Sequence, residues 1–142
     1  MTRPTLLLAC ALLPSLNACA ATPPGPAAPE QAMLGDQALH LEDQAGRCTL
    51  VHPAGRLELA LPSPCEFHRN AEGAPRIEHQ GAVPILLVQH SQPEAPPGQG
   101  CVTRLQAVRL RQGTLQASAP MTNASCPRGP WDQKLFTGPF DW

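Results

Sequence analysis

The sequence predicts a mainly β domain: a small disulfide-stapled sandwich or partly open barrel of about five or six strands, with a short C-terminal helix. Three observations lead there. Leu57, Leu59 and Leu61 alternate with Glu58 and Ala60, the period of a half-buried strand. Residues 83–88 form a short apolar run that suits a buried central strand. Beyond the N-terminal region, Cys48, Cys65, Cys101 and Cys126 are an even set, punctuated by Pro- and Gly-rich turns.

The first 18 residues read as a secretory signal. Arg3 supplies a positive start, and an apolar run follows from Leu6 to Leu16. That run is far shorter than the ~20 residues a membrane-spanning helix needs. Residues 19–36 are read as a tether, in which Pro23, Pro24, Pro26 and Pro29 favour extended geometry and forbid a helix. Residues 37–142 are read as a single β-rich globular domain.

Within that domain, residues 48–51 and 57–61 are expected to pair as a hairpin across the turn His52-Pro53-Ala54-Gly55. Pro62 and Pro64 end it. Residues 76–79 form a short strand after a turn over 70–75, and the central run over 83–88 follows. Residues 93–100 are an exposed loop. Residues 101–110 read as a strand with a helix as the alternative, because Arg104 and Gln106 interrupt its apolar face. Gly113 turns the chain into a strand over 114–118. Pro130 at a first helical position, Asp132 in the first turn and Gly138-Pro139 as a stop predict a helix over 130–136.

Cysteine arithmetic makes the staples specific. Of six cysteines, Cys10 leaves with the signal and Cys19 is either removed or consumed. The remaining four imply two disulfides in an oxidising compartment. The pairing Cys48–Cys65 and Cys101–Cys126 is favoured over the other two because each pair flanks a hairpin-like segment. Each would contribute on the order of 3 kcal/mol by the chain-entropy argument. Aromatic residues are only 4% of the chain and Tyr is absent, so the staples matter to a thin core.

The Leu16-Asn17-Ala18-Cys19 segment resembles the lipobox of bacterial lipoproteins. The resemblance is limited to the signal peptide. It implies cleavage before Cys19, acylation of that cysteine, and membrane attachment through the lipid. Ala20 stands where an Asp would favour inner-membrane retention in that family, which implies outer-membrane sorting. The alternative is simple secretion: Ala18-Cys19-Ala20 fits an A-x-A site with cleavage before Ala21. The expected location is therefore periplasm or outer membrane, otherwise the exterior.

Charge excludes one class of partner. Removing Arg3 from ten basic residues leaves nine against eleven acidic ones, which is no footprint for nucleic acid. No G-x-S-x-G, H-E-x-x-H, C-x-x-C or phosphate-cradling glycine loop occurs, so nothing in the sequence calls for an enzyme or a cofactor.

Three sets of residues remain as candidates. Trp131, Phe136, Phe140 and Trp142 gather most of the aromatics in the tail, either as core or as anchors for a partner. His68, His79 and His90 recur every 11 residues and would make a metal site with Glu66 or Glu78 if neighbouring strands brought them together. Arg104, Arg109 and Arg111 form a basic cluster around a hairpin, read mainly as a solvated strand face. The leading functional expectation is a non-enzymatic envelope protein that works by contact with another envelope protein, or as an inhibitor. The alternatives are a periplasmic histidine metal-binding module and a small hydrolase with an unrecognised site.

Overall fold

The computed structural model describes residues 30–128 and 131–142. The signal segment, Cys19 and most of the expected tether lie outside the described residues. Two antiparallel sheets pack face to face, and no closed barrel forms. The first sheet is a meander of β1 (Gln31–Leu34), β2 (Gln37–Gln44), β3 (Arg47–His52) and β4 (Gly55–Pro62), in that spatial order.

β1 corrects the tether boundary, which the sequence put at residue 36. Ala32 and Leu34 are buried while Gln31 and Met33 are exposed, so the period of two already operates here. Four residues between a Pro-rich stretch and a turn are too few to stand out in a sequence.

The second sheet is built on two long strands, β7 (Val83–Pro93) and β8 (Cys101–Arg111), paired from Ile85↔Arg109 to Pro93↔Cys101. The free edge of β7 is covered in succession by β6 (Ile77–Gln80) and β5 (Glu66–Phe67). The free edge of β8 is covered by β9 (Thr114–Ala117) and β10 (Met121–Asn123). Ten strands thus replace the expected five or six: β1 and β2 are added in the first sheet, and β5 and β10 in the second. Each flanking partner is split in two, and its pieces are too short to show a period. The stretch over 101–110 is strand and not helix: of its two polar interruptions, Arg104 faces solvent and Gln106 is satisfied by tertiary partners. Gln106 accepts a hydrogen bond from the edge-strand amide of Ala60 at 2.6 Å and donates to the Ser118 carbonyl at 2.7 Å.

Two cores result. Between the sheets, Leu34, Leu39, Leu50, Leu59 and Leu61 of the first sheet meet Phe67, Leu86, Val88 and Val108 of the second. On the outer face of the second sheet, Ile85, Leu87, Leu105 and Ala107 are covered by Trp131 and Phe136. β7 is thus buried on both faces, which its continuous apolar run requires.

Cys48 pairs with Cys65 and Cys101 with Cys126. The first bridge ties β3 of one sheet to the lead-in of β5 in the other. The second ties the start of β8 to the segment after β10.

The terminal helix, α1 (Lys134–Thr137), is shorter than the expected 130–136 and starts later. Pro130 lies outside the described residues. The Asp132 carboxylate accepts the Lys134 amide at 2.8 Å, so residue 132 caps the turn that precedes the helix. Gly138 ends it by donating to the Lys134 carbonyl.

Candidate functional site

Strand polarity decides where the histidines go. β7 alternates, with Ile85 and Leu87 on the outer face and Leu86 and Val88 on the inner one. His90 therefore points inward, and its Nδ1 lies 2.7 Å from the Pro64 carbonyl. Phe67 faces the inner core, so His68 faces outward, where it stacks on Trp131. His79 is exposed and pairs with Pro84, six residues from His90 along β7, or about 20 Å at strand rise. The three expected metal ligands thus occupy two faces and two ends of one sheet. Among the described residues no group of three or more His, Cys, Asp or Glu could hold a metal ion. His79 and His90 share the inner side of the sheet but lie at opposite ends of β7, and His68 lies on the other face.

The tail aromatics divide into two pairs. Trp131 and Phe136 are buried and belong to the outer core, so they are unavailable as docking anchors. Phe140 is half-buried and Trp142 is 48% exposed. These two meet edge to face at 5.9 Å, and both lie over the Arg109 guanidinium, at 4.4 and 4.9 Å. Arg109 also donates to Gln116 and to the Asp141 carbonyl. It is buried and not part of a solvated face, which corrects the reading of the Arg104, Arg109 and Arg111 cluster. Residue 109 shares its parity with Leu105 and Ala107, which places it on the outer face beneath the tail.

The most developed concavity lies elsewhere, at the edge of the second sheet. It is a cleft of about 750 Å³ whose walls include Glu66, His68, Arg69, Asn70, Arg76 and Arg128. Its frame is a small excursion between β5 and β6. The His68 amide donates to Leu87 and the Arg76 amide donates to His68, so both ends continue the sheet. Arg69 bridges to Pro75, and Asn70 closes the tip by accepting the Ala74 amide at 2.9 Å. Gly73, at φ +83°, supplies the left-handed residue of that tip. Arg128 arrives from the other wall, two residues after the Cys101–Cys126 bridge.

His68 lines the cleft and is backed by Trp131, with ring centroids 4.5 Å apart and planes 18° from parallel. Phe136 meets the same imidazole at 6.1 Å. Burial is the main influence on His68 and pushes its imidazole below the usual histidine value. Gln89, Glu66 and the Pro127 backbone oppose that shift, while the Arg76 charge adds to it. Gln89 is buried beside them and donates to the Glu66 carboxylate at 2.9 Å. Three buried polar atoms here, His68 Nδ1, Gln89 Oε1 and Trp131 Nε1, have no hydrogen-bond partner among the described residues.

The arginines are held from behind. Arg69 donates to Glu30 at 2.6 Å and to the Gly73 carbonyl at 2.7 Å. Arg76 pairs with Glu78, donates to the Trp131 carbonyl at 2.7 Å and lies 4.8 Å over the Phe136 ring. Neither Glu30 nor Glu78 lines the cleft. None of the lining residues is Ser, Thr or Cys, so no side-chain hydroxyl or thiol is placed to act as a nucleophile.

Of this cleft, sequence reasoning reached only His68 and Glu66, and assigned them to a metal site. Arg69, Arg76 and Arg128 are scattered in the chain and follow no spacing. The one local signal is a dense polar run, His68 to Asn70, directly after the core residue Phe67. Comparison with protein-family models, with curated proteins and with solved structures finds no match for this chain.

Proposed function

We propose that this protein is a non-enzymatic contact module of the bacterial cell envelope, tethered through a lipid on Cys19, whose working face is the His68 cleft. The observation that carries the reading is the cleft itself. It is a donor-rich concavity on a disulfide-braced frame, with two of its three arginines oriented by carboxylates outside it and no hydroxyl or thiol side chain in its walls. Rigid frames that present a few oriented polar groups are suited to recognition. The partner is an envelope protein that offers an acidic segment to the cleft.

Crosslinking in intact envelopes tests the contact. A stoichiometric protein partner should be recovered with the wild-type chain and lost with Arg69→Glu/Arg128→Glu. Recovery of no such partner, or equal recovery with the variant, overturns the reading. Intact-mass measurement tests the anchor separately. An acylated chain beginning at Cys19 supports it, and an unmodified chain beginning at Ala21 refutes it.

A second reading has one observation in its favour. Burial pushes the His68 imidazole below its usual value beside Glu66 in a cleft, an arrangement a small hydrolase uses for a general base. The attacking group would then be water. A panel of ester, amide and glycoside substrates should show turnover that His68→Ala abolishes; no turnover removes this reading.

A further inference from the structure

We propose that the His68 cleft seats a single anionic oxygen group, a carboxylate or a phosphate, between Arg69, Arg76 and Arg128. This rests on the reading of the cleft as the working face, but not on the ligand's belonging to a protein.

The argument begins with unused donors. A guanidinium carries five N–H groups in a fixed fork. Arg69 and Arg76 each spend only some of theirs on Glu30, Glu78 and two carbonyls, so both retain donors. Arg128 has no ion-pair partner among the described residues. Against these, the only lining carboxylate is Glu66, and Gln89 already engages it. The walls therefore offer donors in excess of acceptors, and an acceptor is what they can bind.

A second observation is independent of the arginines. His68 is only 2% exposed, lines the cleft, and leaves Nδ1 without a partner among the described residues. A buried polar atom left unpaired costs about 1–3 kcal/mol, so the imidazole gains from any change of state that brings its nitrogens partners. A nearby anion would favour the charged imidazole and turn both ring nitrogens into donors.

Charge bookkeeping sets the strength. Arg69, Arg76 and Arg128 are matched in number by Glu30, Glu66 and Glu78, so the cluster carries little net charge, although Glu30 and Glu78 lie outside the cleft. Attraction then comes from oriented charge-assisted hydrogen bonds and not from long-range steering. This points to one bound group held by short-range contacts. Two guanidinium groups pinned by carboxylates and by the Phe136 ring need little reorganisation to receive it.

The test is a titration of the purified protein, followed by amide NMR, with inorganic phosphate, acetate and chloride in separate arms at matched ionic strength. Saturable shifts confined to residues 66–76 and 127–128 are expected with phosphate, acetate or both, but not with chloride. Saturation by phosphate alone identifies a phosphate-bearing ligand, and saturation by acetate alone a carboxylate. Arg69→Gln/Arg128→Gln should weaken binding about tenfold or more, corresponding to ~1.4 kcal/mol. In the same titration the His68 imidazole should move to a higher pKa when the anion is bound. Equal shifts with chloride, or undiminished affinity in the double variant with an unchanged fold by circular dichroism, overturn the proposal. Anion binding without a crosslinked protein partner leaves this inference standing while the contact-module reading falls. A partner that binds with the cleft indifferent to anions does the reverse.

Discussion

The two faces of the second sheet are both buried, but by different means. The inner face meets Leu39, Leu41, Leu50, Leu59 and Leu61 across the sandwich, and its core is aliphatic around a single Phe67. The outer face has no sheet to meet. It is covered by Trp131 and Phe136 from a short terminal segment, and it buries His68, Gln89, Thr103 and Arg109 among them. Unpaired buried atoms follow the same division. On the second sheet, His90 Nε2 is the one such atom on the inner face, while His68, Gln89 and Trp131 adjoin one another on the outer face; Gln37 Oε1 and His52 Nδ1 belong to the first sheet. The inner face holds the molecule together, and the outer face trades packing for a polar site at its rim. Cation–π contacts replace the aliphatic seal there. Arg76 lies on Phe136, and Arg109 lies on Phe140 and Trp142.

The sharpest way to break this contrast is to hollow out each face in turn. Phe67→Ala should cost about 4–5 kcal/mol, because Phe67 is enclosed by both sheets and the cavity cannot collapse. Phe136→Ala should cost about 3 kcal/mol or less, since a four-residue helix can settle into the space. Urea unfolding measures both, and equal losses would erase the distinction.

Removing a staple comes next. Cys48→Ala/Cys65→Ala should cost about 3 kcal/mol in the same assay. Cys101→Ala/Cys126→Ala should cost a similar amount, yet it alone should disturb anion binding, because it frees the wall that carries Arg128. Equal effects of the two pairs on the cleft would show that the wall does not depend on its bridge.

Arg109→Met keeps the apolar stem but removes the charge beneath Phe140 and Trp142. A loss of about 1–2 kcal/mol and a changed near-ultraviolet dichroism of the tryptophans are expected. No change in either would show that the tail is held by packing alone.

The smallest effect is a pH dependence confined to the outer face. The folded His68 value lies below the unfolded one of 6.5, so the unfolded chain binds the extra proton first. Stability from this group is complete above about pH 6.5 and is lost as pH falls from there toward the folded value. Arg76 and Glu66 are the charged groups that influence His68. Between pH 7.5 and pH 5, wild type should therefore lose more unfolding free energy than His68→Gln, measured in parallel. An equal loss would mean that His68 titrates as it does in the unfolded chain.

Much of this architecture was legible in the residues. Leu57, Leu59 and Leu61 announce β4, the run over 83–88 announces the doubly buried β7, and four cysteines announce two bridges. These signals are local, or depend on counting. What stayed hidden was either too short or too distant. β5 has two residues and β10 three, less than two periods of alternation. The cleft was hidden for the second reason. Its histidine, its two excursion arginines and Arg128 come from segments joined only by strand pairing and a bridge. The histidine repeat drew attention for the opposite reason: it was regular in sequence, but strand polarity scattered it.

By itself, then, the sequence determined the class of the fold, its staples and the residues rich enough in apolar surface to form its centre, because periodicity and cysteine parity are properties of the chain alone. Tertiary structure decided which face each polar residue takes and which distant residues meet. A shift of one position in register sends a side chain to the opposite face, and only the packed pair of sheets fixes that register. It is for this reason that Arg109 lies beneath two aromatic rings and His68 lines a cleft.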